Sequence, residues 1–225
     1  MVNQMRNCRF LVASSILVLL TLKTSTVTAY DAAADFSEVN NPNGVWSEGY
    51  TTSLGSAFQL FDQFASDGVI ARWTATSISP SVPTFFKNVS AAEVLTVPVG
   101  GVALHPGRGQ LAVLRFTAPN AGPFSVMAQF FAGDVGVTDA AILLNDNSAA
   151  PILSVASTNT NPSFQSVIPL QAGDTLDFVV GPALDDFVSD TTPISVAISL
   201  VPEPSALAVL ATGLLALATR IRRHR

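Results

Sequence analysis

The stretch Phe124-Ser125-Val126-Met127-Ala128-Gln129-Phe130 decides the fold. In an extended chain Phe124, Val126, Ala128 and Phe130 share one face, while Ser125, Met127 and Gln129 share the other, because successive strand side chains point to opposite sides. A helix would spread those four apolar residues around its surface. The same period of two returns at Leu176, Phe178 and Val180, which face away from Asp177 and Val179. Further short runs of this kind are Val69 to Ala75, Gln110 to Thr117, Ala140 to Asn145, Phe164 to Leu170 and Ile194 to Leu200. Turn-forming segments separate them, including Asn120-Ala121-Gly122, Asn145-Asp146-Asn147 and Ala172-Gly173-Asp174. Many short strands at such spacing predict an all-β fold, a single antiparallel β-sandwich over residues 30–200. Between Asp31 and Phe64 the pattern is less regular, and its Gly, Asn and Pro predict loops crossing one end of the sandwich.

Both ends of the chain have a different character. Arg6 and Arg9 precede the apolar run Phe10 to Leu22, and Val27 and Ala29 are small residues before Tyr30. This order predicts a secretory signal peptide over residues 1–29, with its apolar segment helical. Cys8, the chain's one cysteine, would leave with it, so the mature fold must hold without disulfides. At the other end, Pro202-Glu203-Pro204 is followed by an uncharged stretch from Ser205 to Thr219 and then by Arg220, Arg222, Arg223 and Arg225. Fifteen helical residues would span about 22 Å, short of the roughly 20 residues that a full bilayer core asks for. Ile221 and snorkelling arginines extend the reach. The arginine cluster predicts a cytoplasmic end for this transmembrane helix. Prolines keep residues 201–204 extended on the opposite side of the membrane.

Charge narrows the partners. Between the two terminal segments, Arg72, Lys87, Arg108 and Arg115 face fifteen acids, a balance of −11. So acidic a surface repels phosphate backbones, which excludes nucleic acid as a partner.

The Pro-Glu-Pro triplet, apolar stretch and arginine-rich end resemble the PEP-CTERM sorting signal of bacterial exported proteins. The resemblance makes residues 201–225 a sorting signal. It implies that an exosortase, a membrane-embedded processing enzyme, recognises Pro202, Glu203 and Pro204. Asn41-Pro42-Asn43-Gly44 with Trp46, Gly49 and Tyr50, then Leu104 to Gly107, Arg115 to Pro119 and Leu170 to Phe178, resemble a central domain common in such proteins. That domain is similar to jelly-roll carbohydrate-binding modules, and its ligands are generally unassigned.

Candidate site residues are few. His105 is the one histidine between the terminal segments, so no Cys-His pair or two-histidine zinc site can form there. A serine triad would depend on His105 without a Gly-x-Ser-x-Gly elbow. The simpler reading is a turn histidine bonded to a nearby carbonyl. A glycosidase would need two carboxylates across a cleft. Asp185, Asp186 and Asp190 are a candidate calcium group on a loop, where hard oxygen ligands suit that ion. Trp46 and Tyr50 are candidates for stacking on a sugar ring. Trp73, inside a strand, reads as core.

These residues predict a non-enzymatic protein, with no cofactor other than the calcium candidate. The export machinery and an exosortase-type enzyme are its expected partners, with the membrane engaged through the C-terminal helix. Its expected path runs from a membrane-anchored intermediate to the cell surface or beyond. The resemblance implies a structural or interaction role in the exopolysaccharide layer. The alternative is a carbohydrate-binding module contacting extracellular polysaccharide, assisted by calcium.

Overall fold

A computed structural model describes residues 28–78, 82–183 and 187–202. The apolar segments of the signal peptide and of the tail lie outside the described residues.

In chain order the strands are β1 (Ala29–Asp31), β2 (Trp46–Thr51), β3 (Gln59–Leu60), β4 (Gln63–Ser66), β5 (Ile70–Thr74), β6 (Thr84–Asn88) and β7 (Val102–His105). They continue as β8 (Leu111–Thr117), β9 (Gly122–Phe130), β10 (Asp139–Leu144), β11 (Leu153–Val155), β12 (Ser163–Leu170), β13 (Thr175–Gly181) and β14 (Thr192–Leu200). One sheet has the order β12-β9-β14-β7-β6-β5-β4, with β1 joined to β14. The other runs β11-β10-β13-β8-β2-β3. All pairings are antiparallel.

Strands β7 to β14 pass repeatedly between the two sheets. Four of them (β7, β14, β9, β12) lie side by side in one sheet and four (β8, β13, β10, β11) in the other. That is the jelly-roll arrangement. The earlier strands widen it: β2 and β3 extend one sheet beyond β8, and β4 to β6 extend the other beyond β7.

Alternation sets the layers. Phe124, Val126, Ala128 and Phe130 on β9 enter the core between the sheets, as do Leu176, Phe178 and Val180 on β13. Phe116 lies at the centre of an aromatic cluster, with its ring 5.5 Å from Tyr30, 5.4 Å from Trp46 and 5.8 Å from Phe124. Such tilted and edge-on pairs add to the burial of their area. Val179 faces the other way and joins Val113, Ala141 and Leu143 in a smaller cluster on the outside of the second sheet.

Each of the seven strand-like runs contains a strand. The stretch from Asp31 to Phe64 is the correction. Residues 32–45 lie outside the strands, but Trp46–Thr51 is an interior strand between β8 and β3. Gly49 permits this packing, since a Cβ there would sit 2.2 Å from the Gln59 carbonyl oxygen. The alternation was obscured by Glu48, which shares the inward parity of Trp46 and Tyr50 yet is a carboxylic acid.

Candidate functional site

The two sugar-stacking candidates are core residues. Trp46 is 2% exposed and Tyr50 is 5% exposed. Trp46 packs against Phe116, and its Nε1 donates to Asp35 Oδ2 at 3.1 Å. Tyr50 stacks on Phe61 at 5.8 Å, and its hydroxyl bonds Gln59 Oε1 at 2.6 Å. Neither ring offers a free face to a sugar, because loop-like sequence concealed an interior strand. Trp73 is also buried, as its place in a strand implied, with Nε1 donating to the Ser37 carbonyl at 2.8 Å.

His105 ends β7, with Nδ1 2.8 Å from the Pro106 carbonyl oxygen. Burial holds its pKa below the usual imidazole range, against the attraction of Asp134. Of the calcium candidates, Asp185 and Asp186 lie outside the described residues. Asp190 is 2% exposed and packs beside Gly136. Among the described residues no group of three or more His, Cys, Asp or Glu is arranged to hold a metal ion.

Two buried acids were not singled out by sequence. Glu48 lies between Trp46 and Tyr50, and burial pushes its carboxyl up to about 7. Its backbone is held by Asn41, which accepts from Glu48 N at 2.9 Å and donates to Glu48 O at 2.8 Å. Its Oε2 has no hydrogen-bond partner among the described residues. Asp177, on the outer side of β13, receives Arg115 Nε and Nη2 at 2.7 Å each. Arg115 also reaches Asp146 at 2.5 Å and lies 4.3 Å from the centre of the Phe58 ring. Burial pushes Asp177 up to about 6, while the two guanidinium bonds oppose the shift. With both oxygens held by a cation, Asp177 is ionised at neutral pH. This cluster fastens β8 to β13 and to the turn after β10.

The remaining candidate is the end where the chain leaves the sandwich. Strand β14 is interior, bonded to β9 on one side and to β7 and β1 on the other. It runs without interruption to Leu200, which pairs with Phe124. Val201 N then donates to the Pro123 carbonyl at 2.8 Å, and Pro202 follows, exposed. Gly122 makes room here, since a Cβ on it would lie 2.8 Å from Leu200 Cδ1. The N-terminal strand meets the same end, with Ala29 opposite Ser199 and Tyr30 opposite Ile198. Ala29, placed by sequence at the end of the signal peptide, is thus a strand residue.

Residues 200–223 match the family described as the PEP-CTERM protein-sorting motif. The chain carries a PEP-CTERM sorting motif. It implies sorting by an exosortase-type system. The motif begins on the last residue of β14, so no linker separates it from the sandwich. Of its triplet, Pro202 lies within the described residues; Glu203, Pro204 and the four arginines lie outside them.

No curated protein matches the chain. Solved structures similar to it include CBM51 from Clostridium perfringens GH95 in complex with methyl-galactose, at 11% identity and TM-score 0.35, covering 76% of this chain and 99% of that one. A family 35 carbohydrate-binding module from an environmental isolate has 17% identity and TM-score 0.31, covering 70% and 98%. Pika GITRL has 15% identity and TM-score 0.28, covering 41% and 75%.

Proposed function

We propose that this chain is an exported, non-enzymatic component of the exopolysaccharide layer, with a structural or interaction role. The export machinery carries it across the membrane, the C-terminal apolar segment holds it there, and an exosortase-type enzyme processes the tail. The observation that carries this reading is the junction at Leu200, where an interior strand of the jelly roll becomes the sorting motif. The jelly roll is therefore the cargo. The engagement of His105 Nδ1 with the neighbouring Pro106 carbonyl fits a structural histidine.

The test is fractionation of cells producing an epitope-tagged chain, with and without the exosortase-type enzyme. Recovery with extracted surface polysaccharide in its presence, and accumulation in the membrane in its absence, are the expected results. A chain equally abundant at the surface in both strains contradicts the sorting route. A chain released from the membrane but never associated with polysaccharide contradicts the role and leaves the route standing.

A further inference from the structure

On the outside of the larger sheet, β14, β9 and β12 lie side by side, and their outward residues line up in two rows. Ser195 is opposite Gln129, which is opposite Ser163; in the next row Ala197 is opposite Met127, which is opposite Gln165. Neighbouring strands are about 4.8 Å apart, so each row crosses roughly 10 Å of surface. A depression of about 290 Å³ lies over these rows. A second of about 410 Å³ adjoins it at Ser195, with Phe131 and Asn161 in its wall. The two depressions meet at Ser195, the residue their walls share, and together are called the groove below.

The lining combines amide, hydroxyl and apolar side chains. The side-chain amides of Asn41, Asn88 and Asn145 are engaged in internal hydrogen bonds. By contrast, among the described residues the side chains of Gln129, Gln165 and Ser195 have no internal partner. Asn161 uses its Oδ1 to accept from Ala132 N at 2.7 Å, which leaves its NH₂ as a donor. Met127 and Phe131 supply apolar surface between these groups. Among the described residues no Lys or Arg lines either depression, and Asp31, the one charged residue of those that do, already accepts from the backbone of Ala33 and Ala34.

We propose that this groove binds a neutral glycan chain. Amides offer paired donors and acceptors to hydroxyl groups, and apolar side chains suit the C–H faces of a sugar ring. An anionic polymer would meet no cation in the groove, on a domain whose balance is −11. The choice of a polysaccharide as ligand rests on the exopolysaccharide reading above. The binding itself is measured on purified protein, so its failure is distinguishable from a failure of the sorting route.

The experiment is affinity electrophoresis of the full-length protein, in a detergent without a sugar headgroup, through gels containing dextran, galactomannan or alginate. Retardation by dextran or galactomannan and none by alginate is expected. The double variant Gln129→Ala/Gln165→Ala removes surface amides without disturbing the core. It should melt like the parent and bind roughly tenfold more weakly or worse, the loss of about two net hydrogen bonds. Ser195→Trp, which fills the junction of the two depressions, should abolish retardation. Lack of retardation by both neutral polymers, equal retardation by alginate, or undiminished binding by the double variant would each overturn the proposal.

Discussion

Ala29 and Ser199 face each other across β1 and β14, so the chain enters and leaves the jelly roll at one end. The turn through Asn120 lies at that end, beside the start of β9, where Phe124 pairs with Leu200. The connection through Val135 lies at the other, beyond Phe130, which pairs with Ile194. A domain held to the membrane by its tail therefore presents the Val135 connection outward. Cys8 is the chain's one native cysteine, so in a Cys8→Ser background single cysteines at these positions report orientation cleanly. A Val135→Cys variant on intact anchored cells should react with a bulky impermeant maleimide faster than Asn120→Cys, and the difference should vanish on release of the protein. Equal rates in the anchored state would contradict this orientation.

Arg115 and Asp177 form a two-point pair across β8 and β13. Arg115→Met leaves a buried carboxylate without its cation and should cost about 3–5 kcal/mol, as for other broken buried pairs. Adding Asp177→Leu should restore most of the loss. Denaturant unfolding of the single and double variants measures both. A single variant within about 1 kcal/mol of the parent would show that the pair contributes little.

Glu48 makes stability depend on pH. Its carboxyl is raised from 4.5 to about 7 in the fold, so the folded chain holds a proton that the unfolded chain releases. Stability from this residue is fully present below about pH 4.5 and falls as pH rises to about 7, by about 3 kcal/mol in all. Glu48→Gln removes this component. The stability difference between variant and parent should grow in favour of the variant between pH 4.5 and 7 and level off above. A difference independent of pH would contradict the buried acid.

Trp46 offers a further check on the corrected strand. Trp46→Ala should destabilise by about 3–5 kcal/mol, the usual cost of removing a large core aromatic, whereas a surface sugar platform would leave the melting temperature nearly unchanged.

The jelly roll was legible where alternation was clean. β9 and β13 combine an apolar inward face with outward residues that could be read directly from spacing. Strand β2 was not legible, because an acid occupies the inward position between Trp46 and Tyr50, and the stretch around it is rich in Gly, Asn and Ser. That single ambiguity turned two core aromatics into apparent surface ones. The groove was invisible for another reason. Ser195, Gln129 and Gln165 belong to three strands far apart in sequence, and each alone reads as an ordinary solvent-facing residue. Register brings them together, and register depends on pairing that spacing alone does not specify. The tail was legible because its meaning lies in segment order along one continuous stretch.

The most direct test of export and sorting is the intact mass of the tagged protein recovered from the cell surface. The account predicts a chain beginning near Tyr30 and ending near Pro202-Glu203-Pro204, without the arginine-rich terminus. A surface-recovered chain with the mass of all 225 residues, both terminal segments retained, would contradict it.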